Sequence, residues 1–232
     1  MKAIYHIPPS QYALAKSLGF THVNIYWDAT AGYANSELRL TQAREHGLKV
    51  ILALDFLNDL AGALQFLNQA DLFSTDLIYL PDEPNLCAIK PQDLLLLKYK
   101  ILQINPCLQT LVVLSWIHPF AGYENCADVV GFDFYKRLYE ASALALPFRI
   151  EAFRAKHCGK ICGVPAVKYS PAHVRNQIWY WRLQGIRDLY WYPWTCSQEA
   201  AADLKKNGHT DWPLFDVDRL PEYQKELAYR AV

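Results

Sequence analysis

The sequence predicts an α/β protein, a single (β/α)8 TIM barrel domain over residues 1–232. Three observations lead there. Apolar, β-branched runs alternate with amphipathic helical stretches eight times, at a spacing of about 25 to 35 residues. The strand-like runs are apolar along their whole length, as strands covered on both faces are. The glycine-rich phosphate loop that follows the first strand of many open doubly wound sheets is missing, and "HIPPSQ" stands in its place.

The elements follow in order. "AIYHI" reads as the first strand and "PSQYALAKSLGF" as its helix; "HVNIYWD" and "SELRLTQAREHG" make the second pair, where the glycine stops the helix. "KVILALDF" and "DLAGALQFLNQADL" form the third. The fourth strand is "LIYLPDEPN", followed by a helix in "PQDLLLLKYKILQIN" that Pro106 ends. "TLVVLSW" is the fifth strand, with a short aromatic-rich connection through "HPFAGYENC" to the sixth, "DVVGFDFYK". "ALPFRIEAFRAKHCG" is the next helix. "KICGVPAVKY" with "SPAHVRNQIWYWRLQG" is the seventh unit, and "IRDLYWYPW" is the eighth strand. A helical "LPEYQKELAYRAV" closes the chain.

Composition narrows the function. Lys plus Arg and Asp plus Glu both total 23, so the formal net charge is zero. That balance argues against nucleic acid or an anionic membrane as partner, because both are recognised by clustered positive charge. Near-neutrality also removes one barrier to self-association, which leaves protein partners or a homo-oligomer open. The 6 cysteines include no CxxC pair and no zinc-like His-Cys spacing, and read as reduced, mostly structural residues. The start "MKAIYHIPPS" lacks the apolar stretch of a secretory signal, and runs such as "DLLLLKYKIL" are too short and too charged to cross a bilayer. The expectation is a soluble protein, cytoplasmic or part of an assembled particle.

In a barrel, side chains at the C-terminal strand ends converge on one cleft. Read in order, those ends carry Tyr5 and His6; Tyr26, Trp27 and Asp28; Asp55; Asp82 and Glu83; Trp116 and His118; Asp133 and Tyr135; Lys168 and Tyr169; and Trp191, Tyr192 and Trp194. Rings stack on the apolar faces of sugars, and carboxylates bind hydroxyls or move protons, so a carbohydrate is the expected substrate or ligand. Any one of these residues is also what an ordinary polar strand end in water looks like; their convergence carries the functional reading. His6, Asp28, Asp55 and Asp133 could meet around a divalent ion, but no local ligand motif supports it, and neither metal nor cofactor is expected. Lys168 offers a third chemistry, that of a Schiff-base lysine inside a barrel.

The run "YLPDEPN", a helix ending "QINP", the strand "TLVVL" and then "ADVVGFDFYK" resemble glycoside-hydrolase-like TIM barrels. In those families "DEP" closes the fourth strand and "D-x-Y" the sixth. The similarity is clearest between Leu77 and Lys136. The resemblance implies a general acid at Glu83 with Asp82 or Asp133 as partner carboxylate. It is similar to that of hexosaminidases with an adjacent Asp-Glu pair, which use the substrate's acetamido group as nucleophile. By that likeness Asp82 would orient the acetamido nitrogen, Tyr135 would hold its carbonyl, and Asp133 would bind a hydroxyl or act as second carboxylate. Tyr26, Trp27, Asp28, Asp55, Trp116, Lys168, Trp191 and Trp194 would complete the substrate-binding set. Two neighbouring carboxylates in a shielded mouth resist double ionisation, which raises one pKa toward the value a general acid needs.

One departure stands out. Retaining barrels of the largest glycosidase clan carry a nucleophilic Glu at the end of the seventh strand, where this chain reads "GVPAVKYS". The alternative is therefore a catalytically silent barrel that binds glycans or serves as a structural part of a larger assembly, such as a surface or virus particle.

Overall fold

The computed structural model describes residues 1–5, 7–54, 58–134, 141–167, 170–192, 195–196, 215–216 and 221–228. Eight parallel strands close into a barrel in sequence order: β1 (Lys2–Ile4), β2 (His22–Tyr26), β3 (Lys49–Ala53), β4 (Thr75–Tyr79), β5 (Gln109–Ser115), β6 (Val129–Asp133), β7 (Lys160–Val164) and β8 (Leu189–Trp191). The ring shuts where β1 pairs with β8, with Ala3 opposite Tyr190 and Ile4 opposite Trp191. A small antiparallel pair, β9 (Thr195–Cys196) and β10 (Phe215–Asp216), stands apart from the barrel sheet.

The helices are α1 (Tyr12–Ser17), α2 (Gly32–Glu45), α3 (Leu60–Gln69), α4 (Pro91–Ile104), α5 (Ala141–Arg154), α6 (Pro171–Leu183) and α7 (Pro221–Leu227). Their starts are legible in the residues. The Asp59 carboxylate accepts the Gly62 amide at 2.9 Å to cap α3, and the Ser170 hydroxyl accepts the His173 amide at 3.2 Å to cap α6. Proline opens α4 and α6, where a missing N–H costs nothing.

Two helix starts differ from the sequence reading by about one turn. Helix α2 begins at Gly32, one turn ahead of Ser36, because the Asp28 side chain caps the preceding turn. Helix α5 begins at Ala141 rather than Ala145, which leaves Pro147 inside it.

Strand alternation divides the core in two. Ala3, Tyr5, Ile51, Ala53, Leu77, Tyr79, Leu111, Val113, Val129, Cys162, Val164 and Tyr190 fill the barrel interior. Their sequence neighbours, among them Ile4, Ile78, Leu80, Val130, Phe132 and Trp191, pack outward against the helices. Gly163 serves this outer layer: a Cβ there would lie 2.4 Å from the Trp181 ring, so only glycine lets α6 press against β7. Among the described residues no helix is long and apolar enough to cross a membrane.

Candidate active site

The alternation that fills the barrel also aims the acids. On β6 it turns Val129, Gly131 and then Asp133 inward, and Asp133 ends the strand at the C-terminal mouth, only 3% exposed. On β4 it turns Leu77 and Tyr79 inward. The chain then leaves the strand through Pro81 and brings Asp82 and Glu83 over the mouth.

There the carboxyls meet. The Glu83 side chain is hydrogen-bonded to Asp133, and the Trp116 amide donates to Asp133 Oδ1 at 3.0 Å. The Tyr79 hydroxyl donates to Asp82 Oδ1, and the Glu83 amide donates to the same carboxylate.

This placement holds Glu83 at φ 41°, in the left-handed region that costs an ordinary residue roughly 1–2 kcal/mol. The loop around it is over-determined. The Glu83 carbonyl accepts the Leu86 and Cys87 amides at 2.8 and 3.0 Å. Asn85 pairs with both backbone groups of Ser115, accepting its amide at 2.9 Å and donating to its carbonyl at 2.8 Å. Ser115 lies opposite Asp133 in the sheet, so the loop is tied to the strand pair that carries its partner acid. Arg149 of α5 donates to the carbonyls of Trp116 and His118, bracing the turn after β5 from outside.

The electrostatics follow from enclosure. Burial raises the Asp133 carboxyl well above the ordinary carboxylate range; the bond to Glu83 and the charges of Glu83 and Asp82 push the same way, and only the Trp116 amide opposes them. Two carboxyls in hydrogen-bond contact need at least one proton between them, and burial favours the neutral form of Asp133. Asp82 is pushed up to about 6, first by desolvation and then by Glu83, against the Tyr79 and backbone bonds that favour its charge. The Asp82 residue is nonetheless exposed to solvent.

Beneath the acids lies a pile of tyrosines. Tyr5 stacks on Tyr190 with ring centres 4.0 Å apart, and Tyr79 meets both edge-on at 5.8 and 6.1 Å. Tyr192 edges onto Tyr5 at 5.4 Å. These rings floor the mouth and make it shallow.

The other expected binding residues divide. Tyr26, 41% exposed, stays at the mouth, where partial desolvation and the Asp82 charge raise its phenol. Trp27 does not: its ring packs on Phe66 at 4.8 Å and its indole N–H faces Asp59 at 3.3 Å. Trp191 is fully buried in the outer layer, because Tyr190 takes the inward position on that strand. Asp28 is corrected from a cleft ligand to a turn cap, accepting from the Thr30 amide and hydroxyl, the Ala31 amide and Asn35. Trp116 contributes its amide to the site, while its ring edges onto Phe134 at 5.5 Å in the outer layer. Tyr135, Asp55, Lys168 and Trp194 lie outside the described residues, as do His6 and Tyr169.

Sequence reasoning passed over Tyr79, Tyr190 and Asn85. Parity was the available signal: adjacent aromatics such as Tyr190 and Trp191 cannot both face inward. Among the described residues no three His, Cys, Asp or Glu side chains are grouped to hold a metal ion.

No family model and no curated protein matches the chain. Solved structures do. An exo-beta-1,4-mannosidase from Opitutaceae bacterium strain TAV5 superposes with a TM-score of 0.72 at 14% identity, covering 97% of this chain and 58% of its own. A glycoside hydrolase family 17 beta-1,3-glucanosyltransferase from Rhizomucor miehei reaches 0.66 at 12% identity, covering 94% of both chains. A GH2 beta-galacturonidase from Eisenbergiella tayi reaches 0.61 at 14% identity, covering 98% of this chain and 50% of its own. This chain thus spans little more than half of the mannosidase and half of the galacturonidase. At such identities the likeness is one of fold: this barrel is built like those of glycoside hydrolases.

Proposed function

We propose that the chain is a glycoside hydrolase in which Glu83 is the general acid and Asp82 the partner carboxylate that meets the sugar. The observation that carries the reading is the contact between Glu83 and the buried Asp133, beside the exposed Asp82. In the reactive form both acids are neutral: Glu83 delivers its own proton to the glycosidic oxygen as the bond from that oxygen to the anomeric carbon breaks, and the carboxylate left on Glu83 accepts a hydrogen bond from the Asp133 hydroxyl. Asp133 is a poor second catalytic carboxylate. Retaining pairs stand about 5–5.5 Å apart and inverting pairs about 6.5–9.5 Å, whereas Glu83 and Asp133 are in hydrogen-bond contact.

The nucleophile then comes from elsewhere. The stretch from Lys160 to Ser170 contains no Asp or Glu. A 2-acetamido sugar would supply its own carbonyl oxygen, with Asp82 accepting the acetamido N–H. The fold likeness to glycoside hydrolases supports the substrate class. The test is sugar release from aryl glycosides with and without a 2-acetamido group, by the wild type and by Glu83→Gln. Release confined to 2-acetamido substrates and lost in Glu83→Gln is expected; release that survives the substitution overturns the assignment.

The acid-free seventh strand also favours a second reading, a barrel that binds glycans without cleaving them. Saturable binding on a glycan array with no sugar release from any bound glycan would establish it.

A further inference from the structure

We propose that the outer face of α4 is the contact by which two copies of this chain pair about a two-fold axis. The stripe Asp93, Leu96, Tyr99 and Lys100 runs along one side of this helix at spacings of three, three and one residues, so all four face the same way. Leu96 is 58% exposed and Tyr99 63%, large apolar surfaces to leave in water side by side. Beside them runs a groove of about 200 Å³ walled by Leu60 of α3, Leu94, Leu97, Pro81 and Ile89, with Asp93 and Lys100 at its rim.

The charges select the occupant. Neither Asp93 nor Lys100 has an ion-pair partner among the described residues, whereas the neighbouring Lys98 turns inward to Asp128 at 2.5 Å. The two free charges are opposite in sign and two helical turns, about 10 Å, apart. A two-fold axis crossing α4 between Leu96 and Leu97 lays a second copy antiparallel on the first. It brings Asp93 to Lys100 of the second copy and Lys100 to its Asp93, and sets the exposed Leu96 and Tyr99 beside the same two residues of the second copy. Every element of the stripe then has its complement in the same stripe, which is what an isologous interface requires. The zero net charge of the chain leaves no long-range repulsion against this pairing.

The pairing has a consequence for the mouth. Pro81 and Ile89 bracket the loop that carries Asp82 and Glu83, so the second copy would buttress that loop from behind. The proposal itself stands whether or not the site hydrolyses glycans.

Sedimentation velocity of the full chain over a wide concentration range tests it. The wild type should pass from one to two chains as concentration rises. Asp93→Lys and Lys100→Asp, both at exposed positions, should each weaken pairing by about tenfold or more, because like charges then face each other. The double exchange D93K/K100D should restore it to near the wild-type level, and Tyr99→Ser should weaken it with all charges intact. A wild type that stays a single chain at every concentration overturns the proposal. So do single exchanges that pair as well as the wild type, and a double exchange that pairs no better than the singles.

Discussion

The Tyr79 hydroxyl donates a hydrogen bond to the Asp82 carboxylate, joining the aromatic floor of the barrel to the acid that stands over its mouth. The bond favours the charged form of Asp82 and works against the enclosure and the Glu83 charge that hold it near 6. Tyr79→Phe removes that support, so the Asp82 pKa should rise further. The acidic limb of a pH–rate profile that needs ionised Asp82 should move upward with it. A limb that stays in place would separate Asp82 from the rate.

Asp133 should show itself in stability. Its folded-state pKa lies above the unfolded value of about 3.9. The buried acid therefore contributes fully below that value and loses its contribution as pH rises toward the folded pKa. Asp133→Asn keeps an acceptor for the Trp116 amide and a donor for Glu83 without having to retain a proton. The variant should be more stable than the wild type by about 1 kcal/mol or more at pH 8, with the difference vanishing near pH 4. Thermal melts across that range measure it.

Asn85 ties the Asp82–Glu83 loop to Ser115 by two bonds. Asn85→Ala removes the acceptor of the part-buried Ser115 amide and leaves the Ser115 carbonyl with the His118 amide alone, and should cost about 1–3 kcal/mol by denaturant melt. It should also lower kcat more than it raises KM, since the loop that places Glu83 loosens. Unchanged kcat in a destabilised variant would restrict Asn85 to a structural role.

Gly163→Ala probes the other end of the account. Its new Cβ would meet Trp181 at 2.4 Å, which should cost about 1–3 kcal/mol without changing the pKa of Asp82. A variant as stable as the wild type would mean that α6 can retreat from β7.

The barrel was legible because its signal repeats eight times. Apolar strand, helix and turn recur at one spacing, and a single misread boundary, such as the early start of α2 at Gly32, leaves the order intact. The acids were legible as strand ends, since Asp133 closes β6 and Asp82 with Glu83 follows β4. Which aromatic rings face the mouth was not, because that depends on strand parity. Placing Trp27 and Trp191 at the rim counts them by position, whereas β2 and β8 turn Tyr26 and Tyr190 toward the axis side and send the tryptophans into the helix layer. Asp28 was hidden for a different reason: a carboxylate after a strand caps a turn as readily as it binds a ligand, and only its four bonds distinguish the two. The direct bond between Glu83 and Asp133 joins residues fifty positions apart in sequence, and no local pattern encodes it.

The central claim is that Glu83 carries the proton, and single-turnover sugar release by Glu83→Gln beside the wild type tests it most directly. The account predicts cleavage of a 2-acetamido aryl glycoside by the wild type and a loss of about 10²–10⁴-fold in the variant, with the melting temperature close to unchanged. Cleavage at an undiminished rate by a folded Glu83→Gln protein would contradict it.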